Sequence, residues 1–216
     1  MASSSDVAFT PSVKALQEKR GSRQGYAYME MKGGWATTVS PDLAALIANV
    51  RSFYFATASK DGEPYVQHRG GPKGFLHALD DKTLAFADFS GNRQYITTGN
   101  LAENPQAFIF LMDYANRRRV KLWGKARVVE DDPELMRRLT VEGYRGRPEQ
   151  VIVFTLKAWD VNCPQHIPQM FFAEDIKEAV DKLKDRIAQL EQENAALRAA
   201  QGRRRKTGRN VNGCPP

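Results

Sequence analysis

Residues 52–70, SFYFATASKDGEPYVQHRG, decide the fold. The aromatic and β-branched run Phe53–Thr57 favours a strand, and Asp61-Gly62 is a strong hairpin signal. Tyr65 to Arg69 is then the returning strand. Alternation puts Gln67 and Arg69 on one of its faces, with Val66 and His68 on the other. Gly70 and Gly71 follow, and their lack of side chains lets a ligand or another backbone come close. An arginine on a mid-barrel strand needs an anion or a route to solvent.

Further strands lie downstream. TLAFADF (83–89), QAFIFLMDY (106–114), RRVKLWGKARVVE (118–130) and QVIVFTLKAWDVN (150–162) each read as one, with Gly124 marking a bulge. Ser40-Pro41-Asp42 opens a helix whose face carries Leu43, Leu46, Ile47 and Val50. A short helix is expected before Asn104-Pro105, and another from Asp132-Pro133 to Tyr144. Six strands with short connections and small helices predict a mainly β protein, a closed or nearly closed antiparallel barrel.

The 216 residues suit one domain with an appendage, and 42% hydrophobic residues supply a core. Cys163 and Cys214, far apart, make neither a disulfide framework nor a zinc cluster and suit a reducing compartment. The N-terminus has no apolar signal core, and no run is apolar enough to span a bilayer. A soluble cytoplasmic protein with no membrane partner is expected. Of the net charge of +7, Arg203, Arg204, Arg205, Lys206 and Arg209 supply five, so the body is close to neutral.

Four segments follow from this reading: an N-terminal arm over 1–39, the barrel over 40–172, a helix over 173–200 and a basic disordered tail over 201–216. The arm is polar and loosely held to residue 24; Tyr26, Tyr28, Met29, Met31 and Trp35 beyond it suit packing onto the body. The helix keeps a seven-residue repeat. Ile176, Leu183, Leu190 and Leu197 form one series; Val180, Ile187 and Asn194 form the other. Branched residues at one position, leucine at the other and one asparagine fit a parallel two-stranded coiled coil. In that dimer Arg186 faces Glu191 of a second copy, and Glu193 faces Arg198. The other reading is an amphipathic helix folded back on its own barrel.

Chemistry concentrates in four places. In SGNRQ (90–94), Gly91 permits a sharp turn and Asn92 can cap a helix beginning near Arg93. Amide groups at a helix start beside a guanidinium suit a phosphate, although taken alone the turn reads first as an ordinary cap with a surface arginine. The Gln67–Arg69 strand is the second place. On the fifth strand Arg117, Arg119, Lys121 and Trp123 share one face, either a cradle for a phosphorylated aromatic ligand or a solvated surface. Last, Cys163 and His166 lie in NCPQHIP, where Pro164 and Pro168 forbid a regular helix. No ligand set for a metal is visible, and no third group orients a cysteine-histidine nucleophile. A proline-fixed pocket wall is the expected role.

Together QHRGGP, GNRQY, GNLA, RRRVKLWG and NCPQH, in this order within residues 40–170, resemble the FMN-binding split-barrel superfamily of the pyridoxamine 5'-phosphate oxidases, and within it a predicted flavin-nucleotide-binding branch. The resemblance implies a six-stranded antiparallel split barrel that dimerises, with FMN in clefts at the dimer interface. It implies that Arg69 and Arg93 hold the phosphate, that Gln94 stands where the family has a lysine, and that Arg119 or Lys121 replaces that charge. By the same resemblance Asp88 falls where the third strand meets the flavin. Gln67, Gly70 and Asn92 complete the expected cofactor site, with Cys163 and His166 as substrate-pocket candidates.

The RGGPKG connection and the NCPQHIP ending depart from the true oxidases. An oxidoreductase of another small molecule is therefore expected, not a pyridoxamine phosphate oxidase. No general acid or base is assigned, since the flavin carries the redox chemistry. FMN and a deazaflavin are not distinguished by these residues. The competing expectation is a flavin- or haem-binding carrier or sensor without turnover, with His68 and His166 as axial ligands. Nonspecific contact of the basic tail with nucleic-acid phosphates is a further, weaker expectation.

Overall fold

The structure is a computed structural model describing residues 2–161 and 163–207, with the backbone path alone from residue 202. It divides into two compact units, Met1–Gln169 and Met170–Pro216.

The first unit is built on one antiparallel sheet: β1 Ser52–Ala58, β2 Pro64–Gly70, β3 His77–Ala78, β4 Thr83–Phe89, β5 Gln106–Asp113, β6 Arg118–Val129 and β7 Pro148–Val161. The strands run in the order β2-β1-β5-β6-β7-β4-β3. This is the expected split barrel, with a seventh strand. Two-residue β3 lies in a stretch too short to show a periodicity of its own. The deciding hairpin forms as read: Ser52 opposes Gly70, Ala58 opposes Pro64, and Gly62 takes the left-handed conformation its turn needs (φ 93°).

Alternation along each strand explains the core. Phe53, Phe55, Ile109, Leu111, Val120, Leu122, Leu84, Phe86 and Phe154 are buried on the inner face. β4 is buried on both faces, because Ala85 and Ala87 pack with Val151 and Val153 against Leu135, Met136 and Leu139 of the helix Pro133–Leu139. The bulge falls where Gly124 predicts it, with the register shifting between Trp123 and Gly124. A side chain at Gly124 would collide with the Thr155 carbonyl and the Phe154 ring.

The helices of this unit are α1 Pro11–Lys19, α2 Arg23–Met31, α3 Pro41–Ile47, α4 Ile96–Glu103 and α5 Pro133–Leu139. Ser40 caps α3, accepting from the Leu43 N–H at 3.2 Å, with Pro41 in the first turn. Asp132 caps α5 in the same way, from Leu135 at 2.8 Å. That helix stops at Leu139, short of the expected Tyr144, because Thr140 is extended and Gly143 turns left-handed (φ 77°).

Residues 2–24 of the N-terminal arm depart from the expected loose segment, while Trp35 packs onto the body as expected. The arm folds, and a short 3-10 turn at Ser4–Val7 precedes its two helices. Its polar residues satisfy one another: Lys14 pairs with Asp6 (2.6 Å), Arg23 with Glu30 and Gln17, and buried Ser5 donates to Glu30 (3.0 Å). Trp35 stacks on Trp123 of β6 with ring centroids 4.8 Å apart, and Phe9 meets the Trp35 edge. A segment held by paired polar groups and a few rings has the low hydrophobicity of a loose arm without being one.

The second unit contains α6, Ala173–Thr207. The helix continues to Thr207, into the segment expected to be disordered from 201. Arginine and lysine are good helix formers, and cations suit a helix C-terminus, so one glycine, Gly202, at a cost of about 1 kcal/mol does not end it. The remainder of the basic tail, 208–216 with Arg209 and Cys214, lies outside the described residues. Among the described residues no helix is long and apolar enough to cross a membrane.

Candidate functional site

The site forms where β2, β4, β7 and the first turn of α4 meet on the inner face of the sheet. Arg69 opposes Phe53 in the β2–β1 ladder, so its side chain shares the face of a core phenylalanine. The Arg69 side chain is only 12% exposed, and its guanidinium carbon lies 5.9 Å from the Phe86 ring centroid. One terminal nitrogen donates to Asp88 of β4. The other Asp88 oxygen accepts from Gln150 of β7 at 2.8 Å, and the same Gln150 amide lies 2.8 Å from the Thr98 hydroxyl of α4. On the same side of β2, Gln67 accepts from Thr97 of α4 at 3.0 Å. Two hydroxyls of the first turn of α4 therefore tie the helix start to the Arg69 cluster.

Electrostatics leave this cluster unfinished. Burial pulls the Arg69 guanidinium below its ordinary pKa, and the adjacent Asp88 charge opposes that shift. The Arg69 Nε–H is buried without a hydrogen-bond partner. Buried donors are almost always satisfied, so an orphan of this kind fits an acceptor brought by a ligand. An anionic group that also meets the orphan amides opening α4 would find complementary donors.

The SGNRQ turn carries the chain from β4 to α4 with local strain. Arg93 (φ 59°) and Tyr95 (φ 53°) both adopt left-handed conformations unusual for residues with a Cβ. Asn92 does not cap the helix. Its side-chain oxygen accepts from the Gln94 N–H at 3.2 Å, forming an Asx turn, and α4 starts only at Ile96. Asn92, Arg93 and Gln94 are exposed, and Arg93 forms no ion pair among the described residues. Gly70 is half-buried beside His68, whereas a side chain at Gly71 would meet the Phe75 ring at 2.6 Å. Packing within the chain, and not ligand approach, accounts for the glycine at 71.

Arg119 and Lys121 occupy the opposite side of the sheet. Lys121 opposes Phe110, which opposes Tyr54, which opposes His68, a row on the outer face. Lys121 pairs with Asp160 at 2.8 Å and lies above the Trp123 and Trp35 rings at 5.2 and 5.5 Å. The single chain therefore does not bring Arg119 or Lys121 to the Arg69 cluster, and the expected convergence of these cations with Arg69 is not found within it. Arg117 sits in the β5–β6 turn with φ 51°. A hollow of about 320 Å³ lies between the N-terminal arm and β1, β5 and β6, lined by Val7, Ala56, Phe108 and Trp123 among others. It shares no residue with the Arg69 cluster.

Cys163 and His166 are both exposed, and His166 is left-handed (φ 62°). Ile167 between the prolines is buried and anchors this segment. No metal-binding group of histidine, cysteine and carboxylate side chains occurs among the described residues. Sequence reasoning missed Gln150, Thr97 and Thr98. A polar residue at the mouth of the otherwise apolar run VIVF was visible, but its pairing with Asp88 depends on a register that one strand alone does not show.

Several solved structures are similar in fold. HupZ from Group A Streptococcus is 18% identical over 62% of this chain and 99% of its own, with a TM-score of 0.48. An FMN-binding protein from Syntrophomonas wolfei subsp. wolfei is 16% identical over 69% of this chain and 97% of its own, at 0.45. HutZ, a heme storage protein from Vibrio cholerae, is 15% identical over 57% and 94%, at 0.37. No curated protein matches the chain. The family model for pyridoxamine 5'-phosphate oxidase matches residues 39–163, the whole sheet together with α3, α4 and α5. The chain is a member of the pyridoxamine 5'-phosphate oxidase family.

Proposed function

We propose that the protein binds FMN with its phosphate at the Arg69 cluster and the start of α4, and acts as an oxidoreductase on a small molecule other than pyridoxamine phosphate. One observation carries the reading: the buried, unpartnered Nε–H of Arg69, in a cluster tied through Gln67 and Gln150 to the opening turn of α4. Arg69 and Arg93 contact the phosphate, with Gln94 and the α4 amides as neutral donors. Gln67, Gly70, Asp88 and Asn92 shape the cradle. FMN, when bound, supplies hydride or electron transfer; the protein binds, orients and shields it. Cys163 and His166 border the substrate side.

The functional unit is a homodimer. The outer face of the sheet presents Tyr54, Val66, Phe108, Phe110 and Trp123 partly or fully to solvent, a surface suited to a second copy. Leu183, Ile187, Leu190 and Leu197 of α6 are exposed at heptad spacing and pair with a second copy as a parallel coiled coil. Arg119 and Lys121 then serve the dimer.

The test is the visible absorption of the purified protein before and after addition of FMN, riboflavin, a deazaflavin or haem. A bound flavin spectrum with tighter uptake of FMN than of riboflavin is expected. A Soret band with no flavin uptake would replace this reading by the haem-carrier one.

A further inference from the structure

The neutral Gln94 leaves the phosphate site one charge short. A phosphate monoester carries roughly 1.5 to 2 negative charges at neutral pH. The Arg69–Asp88 pair is neutral as a unit, so beyond it Arg93 is the sole cation of the proposed cradle. Lys121 is on the other face and already paired with Asp160.

The β4–β7 ladder brings a further arginine to the same place. Asp88 opposes Gln150, and Phe89 opposes Pro148 across a bulge. Beyond the last pair the Ser90 N–H donates to the Arg147 carbonyl at 2.8 Å, so Arg147 stands opposite the first residue of the SGNRQ turn. Phe89 faces α5, as the packing of Phe89 with Leu139 and Val151 shows. Ser90 and Arg147 lie one residue past the paired strands, and alternation carried on by that one residue puts them on the opposite side, the side of Asp88, Gln150 and Arg69. Arg147 is exposed and forms no ion pair among the described residues. The Tyr144 ring rests on Phe89 with centroids 5.0 Å apart, which fixes the incoming loop against the end of β4.

We infer that Arg147, immediately before β7 and opposite the first residue of the SGNRQ turn, supplies the second phosphate-binding cation in place of Gln94. The inference rests on the FMN reading above and goes beyond it by assigning a residue that no motif contains. It makes the approach to β7 part of the anion site and sets the preference for a phosphorylated flavin over the free one.

The experiment is titration of the full-length protein with FMN and with riboflavin, followed by flavin fluorescence, for the wild type, Arg147→Ala, Arg147→Lys and Arg119→Ala. Arg147→Ala is expected to weaken FMN roughly ten- to hundredfold, the value of a charged hydrogen bond. Riboflavin affinity stays unchanged, and Arg147→Lys recovers part of the loss. Because Arg147 is exposed, the variants keep the wild-type circular dichroism spectrum. Wild-type FMN affinity in Arg147→Ala, or an FMN-selective loss found in Arg119→Ala instead, would overturn the inference and leave the FMN reading standing. A wild type that binds FMN no tighter than riboflavin would overturn the phosphate reading itself.

Discussion

Arg69 of β2 donates to Asp88 of β4, joining two strands that are not neighbours in the sheet. Both side chains are 12% exposed, so each charge depends on the other for its solvation. Arg69→Met leaves an uncompensated buried carboxylate and is expected to destabilise the protein by about 3–5 kcal/mol in urea denaturation. The double variant Arg69→Met with Asp88→Leu should recover most of that loss. A single variant as stable as the wild type would show the pair to be solvated.

Strain at the strand exit links stability to binding. Arg93 holds φ 59°, a region costing an ordinary residue about 1–2 kcal/mol. Arg93→Gly is expected to raise stability by about 1 kcal/mol while weakening FMN binding, because the guanidinium is lost. Gain of stability with unchanged FMN affinity would remove Arg93 from the site.

His77 gives the fold a pH dependence. Burial, and after it the nearby Arg138 charge, lower its pKa below the usual 6.5, and its Nε2 is buried without a partner. The unfolded chain therefore takes up the proton first as pH falls. Stability from this group is complete above pH 6.5 and declines below it as acid titrates the unfolded state. His77→Gln should flatten the stability profile on the acid side of pH 6.5. An unchanged slope would assign that dependence to other groups.

The C-terminal helix is tested by charge. Leu183→Lys with Leu190→Lys should lower helix content and the melting temperature of α6, since an isolated helix in water lacks the tertiary packing that stabilises it. Helix content independent of these leucines and of protein concentration would contradict the coiled coil.

Local chemistry made much of this molecule readable. Asp61-Gly62, Ser40-Pro41 and Gly124 fix backbone geometry within a few residues, and the hairpin, the α3 cap and the bulge stand where they predict. Arg69 is legible as a cation on a mid-barrel strand, and Asp88 through the family resemblance alone. What escaped depends on pairing across the fold. Gln150 meets Asp88 through the β4–β7 register, Arg147 stands opposite Ser90 just beyond it, and Lys121 lies on the other face of the sheet within one chain. The order of the N-terminal arm is hidden from its composition because its polar residues are partners of one another, from Asp6 with Lys14 to Arg23 with Glu30.

The most direct measurement is a crystal structure of the protein grown with FMN. The expected result is a phosphate accepting hydrogen bonds from Arg69, including its Nε–H, and from Arg93 at the start of α4. A phosphate held on the outer face beside Lys121 and Trp123, with Arg69 bonded to Asp88 alone, would contradict it.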